Sequence, residues 1–231
     1  MNANKLAHRS AERPETGARE TARRTKTRER LMDAAYRQFS EHGINGTPVE
    51  AITDDAGFTR GAFYSNFGSK EELFFALTER ENRVRLETLR EHFAGLVAPL
   101  GGTAGKPAPH LIEGVIADVL SFQPDNRQWC LMQSEFRLLA LRDPEVAPRF
   151  LAASQSFLRE LAAMVDTAVQ SVGVRFLIDT LDMTRLLVDQ FDSAMQEAIL
   201  SGAEDPELAV REHVMRTLPL LVHSLTDTIE P

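Results

Sequence analysis

Between Thr47 and Leu73 the run TPVEAITDDAGFTRGAFYSNFGSKEEL spaces helix-capping side chains so closely that only short helices fit between them. Thr47 with Glu50, and Ser69 with Glu72, both have the Ser/Thr-x-x-Glu spacing of a capping box. There a hydroxyl and a carboxylate each satisfy an orphan N–H of the first turn. Pro48 suits a first helical position, where its missing N–H costs nothing. Gly57 can take the positive φ that ends a helix, and Thr59 can cap the next helix two residues on. Val49, Ile52 and Ala56 recur at helical spacing and give the first of these helices one apolar face. Two short helices joined by a Gly-containing turn form a helix-turn-helix, whose second helix enters the major groove of duplex DNA. The chemistry expected of this stretch is recognition of a polyanion, with Arg60 and Lys70 as its cations.

The elements that must hold this stretch all read as helices. They are expected over about 24–42, 48–56, 60–66, 70–97, 110–122, 126–142, 143–171, 179–201 and 206–227, from apolar periodicity and from start and stop signals. In the first, Leu31, Ala34, Ala35, Gln38 and Phe39 form the inner stripe and Gly43 ends the helix. Its start carries Arg23, Arg24, Lys26, Arg28 and Arg30, positioned to meet phosphates. Residues 98–109, APLGGTAGKPAP, read as a loop. Pro148 is expected to bend or restart the helix over 143–171, and Pro219 to kink the last one. No alternating β-type run occurs. The fold class is therefore all-α: an N-terminal three-helix helix-turn-helix domain plus a larger C-terminal helical bundle. Residues 1–22 are expected to be a flexible basic arm, 23–70 the DNA-binding domain, and 71–231 the ligand-binding and dimerisation domain.

The chain has 231 residues, 43% hydrophobic, with a formal net charge of −8. That sum hides an asymmetry. Residues 1–30 hold nine Lys/Arg against four Asp/Glu, a net of +5, whereas residues 91–231 hold 10 against 20, a net of −10. A basic end on an acidic body fits a DNA reader with a separate regulatory domain. Residues 1–22 themselves fit either a solvated tail or an arm that follows phosphates or enters a minor groove. No apolar run approaches the roughly 20 residues of a membrane span, and no secretory h-region is visible. The single cysteine, Cys130, excludes an internal disulfide framework and fits a reducing cytoplasm. Enzyme chemistry finds little support. No His has a Glu three residues earlier, and HExxH, GxSxG and glycine-rich phosphate loops are absent. No cofactor and no metal ligand set is expected.

The chain resembles the tetracycline-repressor-like (TetR/AcrR) transcriptional regulators over about residues 25–75. The resemblance rests on Leu31, Ala34, Ala35, Phe39, Gly43, Thr47, Ile52, Ala56, Gly57, Thr59, Gly61, Tyr64, Phe67, Lys70, Glu71 and Leu73. Its most specific part is Tyr-x-x-Phe-x-x-Lys-x-x-Leu directly after the helix-turn-helix. The resemblance implies that Thr59, Arg60, Gly61 and Phe63 lie nearest the bases, Arg60 as a bidentate partner of guanine. Phe63 fits either a thymine methyl or the core. Thr47, Tyr64 and Lys70 are the implied phosphate contacts.

For the C-terminal body the resemblance implies a small-molecule pocket and a dimer. Pocket candidates are Phe122, Trp129, Met132, Gln133, Phe136 and Phe157, although aromatic residues at helical spacing equally fit a filled core. The dimer would pack the last two long helices, with Leu187, Phe191, Met195, Leu218, Leu221, Val222 and Leu225 between subunits. A dimer also follows from the DNA side, since helix-turn-helix proteins usually read paired half-sites. The expected protein is a cytoplasmic, homodimeric repressor that binds a palindromic operator in double-stranded DNA and is released by a small, mainly apolar effector, with no membrane partner. A helical enzyme or ligand-storage protein with a vestigial helix-turn-helix is the alternative.

Overall fold

The computed structural model describes residues 13–97, 126–171 and 174–228, with side chains described for 21–95, 127–171, 174–217 and 224–227. The helices are α1 Arg13–Gly46, α2 Val49–Ala56, α3 Arg60–Tyr64, α4 Lys70–Val97, α5 Asn126–Arg142, α6 Ala147–Ser171, α7 Thr180–Leu200 and α8 Pro206–Leu225; two short strands are β1 Val174–Phe176 and β2 Thr226–Thr228. The expected helix over 110–122 lies outside the described residues.

The chain divides into two compact units, the first ending at Thr78 and the second beginning at Glu79. The sequence reading ended the first domain at residue 70. The first unit runs on because Leu73, Phe74 and Leu77 of α4 are fully buried in it. Phe39 meets Phe74 edge-on at 5.5 Å between ring centroids. The expected α1 stripe is buried at Leu31, Ala34, Ala35 and Phe39, joined by Ile44 and by Ile52 and Ala56 of α2. Gly43 breaks α1 with φ 70° and ψ 168°. At the other end α1 starts at Arg13, so residues 13–22 are helix where a flexible arm was expected.

The second unit packs α7 against α6 and α8, with α5 beside α6 and α7. Its core takes Leu86, Leu89 and Phe93 from α4, Leu161, Val165 and Val169 from α6, Met183, Leu187, Ala194, Met195 and Ala198 from α7, and Val210 and Val214 from α8. Of the bend or restart expected at Pro148 the structure shows the restart: α6 begins at Ala147, and Pro148 falls in its first turn, where no N–H partner is lost. Residues 143–146 instead form a turn, in which the Asp143 carboxylate accepts from Glu145 N at 2.9 Å. An antiparallel ribbon also pairs Val174 with Thr228, Arg175 with Asp227 and Phe176 with Thr226. Among the described residues no helix is long and apolar enough to cross a membrane.

Candidate nucleic-acid interface

The first unit builds its exposed face from the turn between α2 and α3. Gly57 ends α2 at φ 68° and ψ 38°, with its N–H on Asp54 O and the Phe58 N–H on Thr53 O. The positive φ at Gly57 selects glycine, since a side chain there would be strained. Two residues later Thr59 caps α3, its hydroxyl oxygen accepting from Ala62 N at 3.2 Å. Ser69 Oγ accepts from Glu72 N, and the Glu72 carboxylate reaches back to Gly68 N at 2.7 Å. This second capping box forms one residue displaced from its ideal partner.

The expected DNA-facing residues separate into two sets. Thr59, Arg60, Gly61 and Tyr64 are exposed. Arg60 opens α3, and its Nη1 donates to Glu50 Oε1 at 2.7 Å. The same guanidinium lies 5.6 Å from the Tyr64 ring centroid. Tyr64 first, then the Glu50 charge, push the Arg60 pKa further up, so the cation is permanent. Lys70 is half-buried and donates to Thr47 O at 3.0 Å.

Phe63 and Thr47 belong to the inside. Phe63 has no exposed surface and packs at 6.0 Å on Phe67 and 5.2 Å on Tyr64. It cannot reach a thymine methyl; it fixes the short α3 on the core. Thr47 is equally buried, and its hydroxyl donates to Gln38 O at 3.1 Å and Gly43 O at 2.8 Å. The residue preceding α2 is therefore Pro48, in an extended conformation without a side-chain cap, and the Thr47–Glu50 capping box does not form. The hydroxyl found better partners in the carbonyls that the break at Gly43 left open.

Two cations expected at phosphates are held by backbone carbonyls instead. Arg28 donates to Asn66 O with its guanidinium 4.1 Å above Phe67. Arg30 donates to Ala56 O at 2.7 Å and lies 4.7 Å over Phe58. Both tie α1 to the turn and α3, a use that sequence spacing of 38 and 26 residues does not advertise. Arg23, Arg24 and Lys26 stay exposed on the same helix.

In the second unit, Met132 and Phe136 of α5 are core residues, Phe136 standing edge-on to Phe150 at 4.9 Å. Trp129 is half-buried beneath the buried Arg85 guanidinium, 4.4 Å from its ring, and Gln133 is half-buried. A cleft of about 340 Å³ opens between α4 and α6; it is lined by Leu86, Phe157 and Ala153, with Arg83, Arg90, Glu79, Glu87 and Glu160 among its polar walls. Of the five pocket candidates among the described residues only Phe157 lines it, and its walls are more charged than expected. Phe122 lies outside the described residues.

The dimer candidates also divide. Leu187 and Met195 are buried in the core of this chain and cannot face a partner; Phe191 and Leu225 pack against that same core. The side chains of Leu218, Leu221 and Val222 lie outside the described ones. Among the described side chains, the exposed large apolar groups on these helices are Leu186 and Leu200 of α7 and Leu208 and Met215 of α8.

Residues 31–77 match the model of the bacterial regulatory proteins of the tetR family. The HTH-type transcriptional repressor AcnR of Corynebacterium glutamicum is 35% identical over 83 residues, 36% of this chain and 43% of its own. The HTH-type transcriptional regulator UidR of Escherichia coli K12 is 24% identical over 183 residues, covering 79% of this chain and 84% of its own. In fold, the chain is similar to the transcriptional regulator FadR of Bacillus subtilis, solved with stearoyl-CoA, with a TM-score of 0.61 and 18% identity over 82% of this chain and 96% of that one.

Proposed function

The chain belongs, through residues 31–77, to the tetR family of bacterial regulatory proteins, and on that premise we infer that it is a homodimeric repressor that holds an operator in duplex DNA until a small molecule releases it. The observation that supports this most is the division of side chains around α3. Thr59, Arg60, Gly61 and Tyr64 are exposed together, while Phe63 anchors the helix from beneath. A short helix held by one buried ring and presenting a cation at its first position suits insertion into a groove where Arg pairs with guanine. Lys70 has two ammonium protons left after its bond to Thr47, enough for a phosphate. Arg23, Arg24 and Lys26 extend the phosphate contact along α1. No catalytic role is assigned, and the protein is placed in the cytoplasm.

Two copies are needed to read a palindrome. In our reading they meet through α7 and α8, at Leu186, Leu200, Leu208 and Met215. Leu186 and Leu200 are two heptads apart and Leu208 and Met215 one, so each pair shares a helix face. The effector has an apolar body for Leu86 and Phe157 and polar ends for the charged walls of the cleft. It releases DNA only by binding one conformation better than the other; a shift from 99:1 to 1:99 needs a preference of about 10⁴-fold.

A gel shift on the duplex upstream of the protein's own gene, against an unrelated duplex, tests the reading. The upstream duplex should be retarded at lower protein concentration, and a compound that perturbs Trp129 emission should abolish the shift over the same concentration range. Equal binding to both duplexes would remove the operator, and a compound binding equally to free and DNA-bound protein would remove the induction.

A further inference from the structure

Glu50 is an odd residue for a surface that meets DNA. It lies at the second position of α2, its side chain is more than half exposed, and a carboxylate there repels phosphate. It plays little part in folding, because an exposed ion pair contributes little to stability. It does act on Arg60. The 2.7 Å bond from Nη1 to Oε1 crosses the turn between the two helices, and the Tyr64 ring lies 5.6 Å from the guanidinium carbon. The long arginine chain is thus biased toward one orientation before DNA arrives, by the modest free energy of an exposed pair. A guanidinium has five N–H donors in a rigid fork, so the bond to Glu50 leaves donors free for a base.

Resting on the DNA-binding reading above, we propose that Glu50 is a specificity-determining positioning residue, which aims the free edge of Arg60 at a guanine and weakens binding wherever that guanine is missing. Where the guanine is present, O6 and N7 take two N–H groups of the aimed fork and the geometry is already formed. Where it is absent, the pair with Glu50 competes with the phosphates, and Arg60 turns to the backbone less readily than a free cation would. The carboxylate then adds repulsion from the backbone. Discrimination comes from weakening the wrong duplex as much as from gripping the right one.

The test uses the full chain and duplexes selected from a random pool, with each position of the half-site then varied singly. Glu50→Gln and Glu50→Ala are compared with the unaltered protein on the selected duplex, on its single-base variants and on random duplex. Both variants should bind random duplex more tightly, while the preference for guanine at the base read by Arg60 falls by about tenfold. Glu50→Gln should melt at the temperature of the unaltered protein. An unchanged ranking of base variants would overturn the proposal. So would a sharpened guanine preference, which would mean that Glu50 withholds Arg60. A parallel loss on every duplex would make Glu50 merely structural. If the unaltered protein retards no duplex, the DNA-binding reading itself falls, an outcome distinct from all of these.

Discussion

The ammonium of Lys70, the first residue of α4, donates to the carbonyl of Thr47, the second residue before α2, at 3.0 Å. One cation therefore joins two helix starts 23 residues apart and still has protons for a phosphate. Lys70→Ala should lower affinity for all duplexes alike and flatten the salt dependence by about 0.9 in log–log slope per subunit. Arg60→Ala should instead cost about 1–3 kcal/mol per half-site at one base position. Binding measured from low to moderate salt on operator variants separates the two. An Arg60→Ala protein that ranks the variants as before would remove Arg60 as a base reader.

Phe63 and Thr47 make the opposite prediction, since both are buried. Phe63→Ala should destabilise the protein by about 3–5 kcal/mol through lost packing and a cavity. Thr47→Val keeps the shape but strands two hydrogen-bond partners, at about 1–3 kcal/mol. Urea unfolding checks both, and a Phe63→Ala protein of unaltered stability would return the ring to the surface.

At the proposed dimer face, Met215→Glu and Leu208→Glu would place carboxylates where two-fold symmetry repeats them. Both side chains are exposed in the single chain, so each variant should fold and yet dissociate. Leu187→Glu, in the core, should instead unfold. Light scattering with circular dichroism distinguishes these, and a Met215→Glu, Leu208→Glu double variant that stays dimeric would move the interface elsewhere.

Asp192 on α7 gives a pH signature. Partial burial raises its pKa to about 6, against the opposing charge of Arg137 on α5, 3.8 Å away, while Asp189 on its own helix pushes it further up and Cys130 stands nearby; the side chain keeps 41% of its surface in water, which screens the effect and keeps its weight in stability small. The folded state thus favours the neutral acid. That contribution is complete below the ordinary carboxylate pKa near 4 and is lost as pH rises through about 6. Asp192→Asn should therefore melt at the same temperature as the unaltered protein below pH 4 and at a higher one above pH 6. Parallel melting curves across that range would refute the shift.

The capping residues were legible because their partners are local. Thr59, and Ser69 with Glu72, act within one turn. Thr47 was misread because its partners, Gln38 and Gly43, belong to the preceding helix and compete with the local option. Phe63 shows a second limit. Within a helix of five residues, periodicity cannot say which face is inside. Arg28 and Arg30 look like phosphate ligands by composition and are held by carbonyls far along the chain. Leu187 and Met195 are buried while Leu186 and Leu200 are exposed, a difference of helix face that periodicity blurs where α7 is apolar over a wide arc.

The ribbon of β1 and β2 bears on the order in which the chain folds. Arg175 and Asp227 face each other across 52 residues, and that interval contains all of α7 and α8. Closing so long a loop is an entropic cost that a three-residue pairing returns poorly. The ribbon cannot nucleate. It zips only after α7 and α8 have found each other.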